Sequence, residues 1–65
     1  MKLLDIVTLK ENIGHPFLCE GDKGTIVHVH NNGEAFEVEF LNQKSGETLD
    51  VICLESYQLI LHEEF

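Results

Sequence analysis

Sixty-five residues carry twelve acidic side chains and four lysines, with no arginine, for a formal charge of −8. That balance lacks the cations that grip a phosphate backbone and release its counterions, so it argues against direct nucleic-acid binding. The length allows one domain, residues 1–65, and a hydrophobic content of 43% suffices for one core. A chain this short buries only about 60% of its unfolded surface, so it gains from a partner or a second copy. No apolar run approaches the ~20 residues of a membrane span and the first residues carry no secretory h-region, so the chain reads as cytoplasmic. Cys19 and Cys53 then read as reduced, buried small hydrophobes rather than a disulfide.

Leu4 to Lys10 reads as a first strand, with Ile6 and Thr8 alternating against Asp5, Val7 and Leu9. Gly14 and Pro16 break the pattern over Glu11 to Cys19, which reads as an ordered loop anchored by Ile13, Phe17 and Leu18. Gly21-Asp22-Lys23-Gly24 reads as a tight turn, and Thr25 to His30 as the second strand.

Asn32-Gly33 is the favoured pair for a two-residue type I′ turn. It sets Asn31 against Glu34, His30 against Ala35, Val29 against Phe36, His28 against Glu37, Val27 against Val38 and Ile26 against Glu39. Val27, Val29, Phe36, Val38 and Phe40 then share the core face, with His28, Glu37 and Glu39 outside. Lys44-Ser45-Gly46 suits a type I turn closed by a glycine bulge. It pairs Phe40 with Leu49, Glu39 with Asp50, Val38 with Val51, Glu37 with Ile52 and Phe36 with Cys53, so Leu49, Val51 and Cys53 point inward. Ile52 and Leu54 point outward in this register, unless a bulge flips the phase near Ile52 or another segment covers them.

Ser56-Tyr57-Gln58 reads as a 3-10 turn, Leu59 to Leu61 as the last strand, and His62 to Phe65 as a frayed acidic tail. Five short strands, a long first loop and a turn before the last strand predict an all-β, five-stranded SH3-like barrel.

Four segments together resemble one small bacterial family, the domain of unknown function 4926. They are Leu4-Asp5-Ile6-Val7, Gly21-Asp22-Lys23-Gly24-Thr25-Ile26-Val27, Gly33-Glu34-Ala35-Phe36-Glu37-Val38-Glu39-Phe40 and the Leu-rich strand ending at Leu54. The resemblance covers essentially the whole chain, and the Gly33–Phe40 stretch is its most specific element. It implies an SH3-like barrel, no established activity and no catalytic residues to carry over. Members resemble companions of other small proteins, which by analogy implies an antitoxin-like, immunity-like or accessory-subunit role. Gly21 to Ile26 also resembles the opening of ribosomal KOW modules, but Glu20 and Asp22 stand where RNA-holding cations are needed.

Two constellations carry chemistry. Glu37, Glu39 and Asp50 form an acidic outer wall, with Glu39 and Asp50 directly opposed, a like-charge pair that destabilises a sheet unless a cation or a basic partner relieves it. Ile26, Ile52 and Leu54 share that wall with the acids. The six residues form a docking surface for a basic protein or for another copy of the chain, the alternative being that the first loop or last strand covers the apolar ones. His28 and His30 form a His-x-His pair on one strand face, with Glu37 across from His28, a candidate metal set. The alternative is two exposed histidines near a turn. His15 lies in the first loop and His62 in the tail, outside both constellations.

Nothing in the pattern calls for a cofactor. One tyrosine and no tryptophan leave no aromatic groove for proline-rich ligands. No credible nucleophile–base pair exists, and an exposed wall offers no dry cleft for acid–base chemistry. The chain is therefore read as a non-enzymatic protein-binding module, with a metal-binding accessory domain as the alternative.

Overall fold

The computed structural model describes residues 1–62. The predicted frayed tail lies, from residue 63 onward, outside the described residues, while the His62 amide is tied to the Ile6 carbonyl at 2.9 Å. The strands are β1 (Ile6–Leu9), β2 (Lys23–His30), β3 (Ala35–Leu41), β4 (Thr48–Glu55) and β5 (Leu59–Leu61), with a 3-10 turn at Ser56–Gln58. They make one antiparallel sheet in the order β4-β3-β2-β1-β5. The chain is all-β with the predicted 3-10 turn before the last strand. No helix among the described residues is long and apolar enough to cross a membrane.

β1 starts later than its pattern suggests. Lys2 and Asp5 close a turn, the Lys2 amide donating to Asp5 Oδ2 at 2.9 Å, and Leu4 lies at φ 72°, incompatible with a strand. Val7 and Leu9 then face the core. The first loop is anchored by Leu18, which is buried, and by Ile13, which packs against the core. Phe17 is not an anchor: it is 73% exposed. Its amide donates to His15 Nδ1 at 3.0 Å, and that tight curl turns the ring outward beside the imidazole, 5.9 Å centroid to centroid.

The turn predicted over Gly21–Gly24 lies two residues earlier. The Asp22 amide donates to the Cys19 carbonyl at 3.1 Å, and Gly21, at φ 95°, takes the third position, where a type II turn demands positive φ. Gly24 already belongs to β2.

The β2–β3 hairpin keeps the predicted register near its turn. His30 faces Ala35, Val29 faces Phe36 and His28 faces Glu37. Asn31, Asn32 and Gly33 have φ 49°, 56° and 100°, a left-handed run that Asn and Gly tolerate best. The Asn31–Glu34 pair is therefore absent, both residues lying in the turn. A bulge at Val27 then shifts the ladder, so Ile26 faces Val38 and Thr25 faces Glu39. Ile26, expected outside, is fully buried, and Val27, expected inside, is exposed.

The β3–β4 register is one residue away from the prediction. Val38 faces Ile52, Phe36 faces Leu54, Glu37 faces Cys53, Glu39 faces Val51 and Phe40 faces Asp50, with a bulge at Leu49 before Leu41 meets Thr48. A single-residue slip exchanges the two faces of a strand. Leu54 is buried to 3% exposure and Ile52 packs against the core. Leu49, Val51 and Cys53 are exposed. Beyond Asp50 the observed phase buries an isoleucine and a leucine where the predicted one buries a valine and a cysteine, while the bulge leaves Leu49 outside. The turn itself is held by Asn42, whose Oδ1 accepts the Lys44 and Ser45 amides at 2.8 and 3.1 Å.

The core consists of Val7, Leu9, Leu18, Ile26, Phe36, Val38, Phe40, Leu54 and Leu59. Among the described residues no polar or charged side chain is buried. Both cysteines are free and exposed thiols, so neither is the buried hydrophobe expected.

Candidate functional site

The ladder pairs define a three-by-three outer face on β2, β3 and β4. Its rows are Thr25, Glu39 and Val51; His28, Glu37 and Cys53; and His30, Ala35 and Glu55. Directly paired residues point the same way, and alternate residues of a strand share a face. These nine positions carry three carboxylates and two imidazoles, and Lys23, the next alternate residue of β2, lies at the end of the face.

This geometry divides the six predicted docking residues. Glu37 and Glu39 stand on the outer face, half-buried among their neighbours. Ile26, Ile52 and Leu54 line the opposite, core-facing side, because the bulges at Val27 and Leu49 reset both registers. They are not available to a partner. Asp50 is also displaced: it pairs with Phe40 rather than Glu39, which removes the predicted like-charge clash. Glu39 instead accepts a hydrogen bond from Thr48 Oγ1 at 2.8 Å. The apolar residues that accompany the acids are Val51, 45% exposed and opposite Glu39, and Cys53, opposite Glu37.

The predicted metal set comes together. His30 Nε2 lies 3.4 Å from Glu37 Oε2. The His28 and His30 rings meet edge to face with centroids 4.5 Å apart. One ligand atom from each of His28, His30 and Glu37 lies within 4.8 Å of the others. The bulge at Val27 falls just before His28, so the two histidines keep their strand spacing and their face.

His15 is the residue that sequence reasoning missed. Its Nε2 lies 2.9 Å from Asp50 Oδ2. Its Nδ1 accepts the Phe17 amide, so in the neutral ring the hydrogen sits on Nε2 and is donated to the carboxylate. Asp50 Oδ1 accepts the Val51 amide at 2.8 Å. These two donors, the imidazole first, hold the Asp50 carboxyl below its ordinary value of 3.8. Because the folded value is depressed, the clasp stabilises fully above the unfolded value and is lost as pH falls through the folded one. Asp50→Ala is therefore expected to lower the melting temperature at pH 7, with the difference from the parent shrinking as pH drops below 3.8. Melting curves across that range check this, and a difference that holds constant into strong acid would contradict it.

β4 is an outermost strand and, among the described residues, pairs only with β3. Two of its amides donate to side chains: Val51 to Asp50 Oδ1, and Glu55 to Gln58 Oε1 at 2.9 Å. Side-chain capping of this kind blunts a strand edge against ladder formation with another chain. A groove of about 390 Å³ lies elsewhere, between the first loop and the β3–β4 loop, flanked by Lys23 and Lys44, and none of the nine face positions lines it.

No curated protein and no solved structure matches the chain. A family model described as Domain of unknown function (DUF4926) matches residues 3–61. That span takes in all five strands, both bulges and every residue of the outer face, and the chain belongs to the DUF4926 family.

Proposed function

We propose that the chain is a non-enzymatic binding module with an SH3-like barrel, docking a basic protein through the outer face of β2, β3 and β4. The strand order and the 3-10 turn before β5 support the barrel reading. One observation carries the function. A solvent-facing column of Val51 and Cys53 runs directly beside Glu39 and Glu37, with no lysine in these rows, in a chain of charge −8. Apolar side chains set among acids suit a partner that brings lysine or arginine around a small hydrophobic contact. Charge complementarity of this kind speeds association and makes it salt-sensitive. Two copies of the chain, each at −8, repel one another across such a face, which favours a different partner. An antitoxin covering a cationic nuclease is one concrete form of the module.

The test is capture from native extract on immobilised wild-type and Glu37→Lys/Glu39→Lys protein, followed by reconstitution with the purified captured protein. A stoichiometric basic protein is expected to bind the wild type, about tenfold more weakly to the variant, and to be released as salt rises from about 0.05 to about 0.5 M. Equal binding to the charge-reversed variant, or an acidic captured protein, would overturn the reading.

A further inference from the structure

We propose that His28, His30 and Glu37 form a binding site for a divalent ion of the zinc, nickel and cobalt class, independent of whether the face also docks a protein. The site is built by the hairpin. Two-residue spacing puts both imidazoles on one side of β2, and the ladder sets Glu37 directly across from His28 and diagonal to His30. A tetrahedral zinc ion about 2.0–2.1 Å from each donor needs donors roughly 3.3 Å apart. His30 Nε2 and Glu37 Oε2, at 3.4 Å, already stand at that separation. All three ligand atoms fall within 4.8 Å of one another, and rotation of surface side chains about χ1 and χ2 closes the remainder without moving the backbone.

The donor set selects the ion. Two imidazoles and one carboxylate suit borderline transition ions, whereas magnesium and calcium prefer all-oxygen shells. No lysine stands in the two rows that hold Glu37 and the histidines, and the net charge of −8 attracts cations. Three ligands from the chain leave a coordination position for water or for a donor on a bound molecule. The bulge at Val27 has a role in this. It carries Ile26 into the core while leaving His28 and His30 outside, and bulges commonly re-aim side chains beside binding sites.

The experiment is calorimetric titration of the full chain with zinc chloride, paired with melting curves with and without zinc. Wild-type protein is expected to bind one equivalent and to melt at a higher temperature when loaded, since an ion that binds only the folded state stabilises it. His28→Ala/His30→Ala is expected to lose at least about tenfold in affinity together with the zinc-dependent melting shift. Glu37→Gln, which preserves size, is expected to lose several-fold. Cys19→Ser/Cys53→Ser, which removes the exposed thiols as stray ligands, is expected to bind as the wild type does. Full affinity in the histidine variant, or loss of binding confined to the cysteine variant, would overturn the site.

Discussion

Gly24→Ala is expected to destabilise the fold by about 3 kcal/mol, at the upper end of the range for overpacking a core. Gly24 lies inside β2, opposite Val7, where the chain has no need of positive φ. What it needs is the absence of a side chain. A Cβ there would stand 2.6 Å from Val38 Cγ1, 2.9 Å from Phe40 Cε1 and 3.0 Å from the Glu39 carbonyl oxygen. Val38 and Phe40 are fully buried and cannot retreat, and the carbonyl belongs to the β3 backbone. At roughly 0.05–0.15 kcal/mol per residue, a chain of this size has only about 3–10 kcal/mol to lose. Urea denaturation checks the magnitude, and Gly14→Ala supplies the contrast. Gly14 has φ 76° but nothing within 4 Å of a Cβ, so its cost is limited to backbone strain of about 1–2 kcal/mol. If the two variants cost the same, close packing at Gly24 is not what the glycine provides.

Leu54→Ala is expected to cost about 2–5 kcal/mol, while Val51→Ala stays within about 0.5 kcal/mol, as surface substitutions do. The pair reads the β3–β4 register directly. Leu54 faces Phe36 and is buried, whereas Val51 faces Glu39 and is exposed. In the register one residue away these roles exchange, and so would the two penalties. Equilibrium unfolding in denaturant, with unchanged slopes for both variants, separates the cases. The comparison also bears on docking, because Val51→Ala removes surface from the proposed interface without weakening the core.

The contrast between the two hairpins shows what was legible in the sequence. The Asn32-Gly33 turn sets the pairing as far as His28 and Glu37, so the histidine–glutamate cluster is legible in the sequence. The bulge that disturbs β2 lies one residue further on. At the second hairpin Gly46 marks the turn, but two strand phases fit it. The choice between them depends on whether Ile52 and Leu54 or Val51 and Cys53 meet residues from distant strands, and that competition is non-local. The His15–Asp50 clasp spans 35 positions of sequence, with no local pattern to announce it. Gly24 reads from the sequence as part of a turn, whereas the structure needs it for the close approach of Val38 and Phe40. The order of elements and the 3-10 turn at Ser56–Gln58 followed from punctuation alone.

The capped amides of Val51 and Glu55 bear on selectivity. Main-chain donors and acceptors are the same in every protein, so a bare border strand accepts almost any extended peptide. With Asp50 and Gln58 occupying those two amides, a partner of the proposed kind would be told apart chiefly by the side chains of the exposed wall. On the proposed function, selectivity would then rest on chemistry that differs from protein to protein rather than on the backbone that all proteins share.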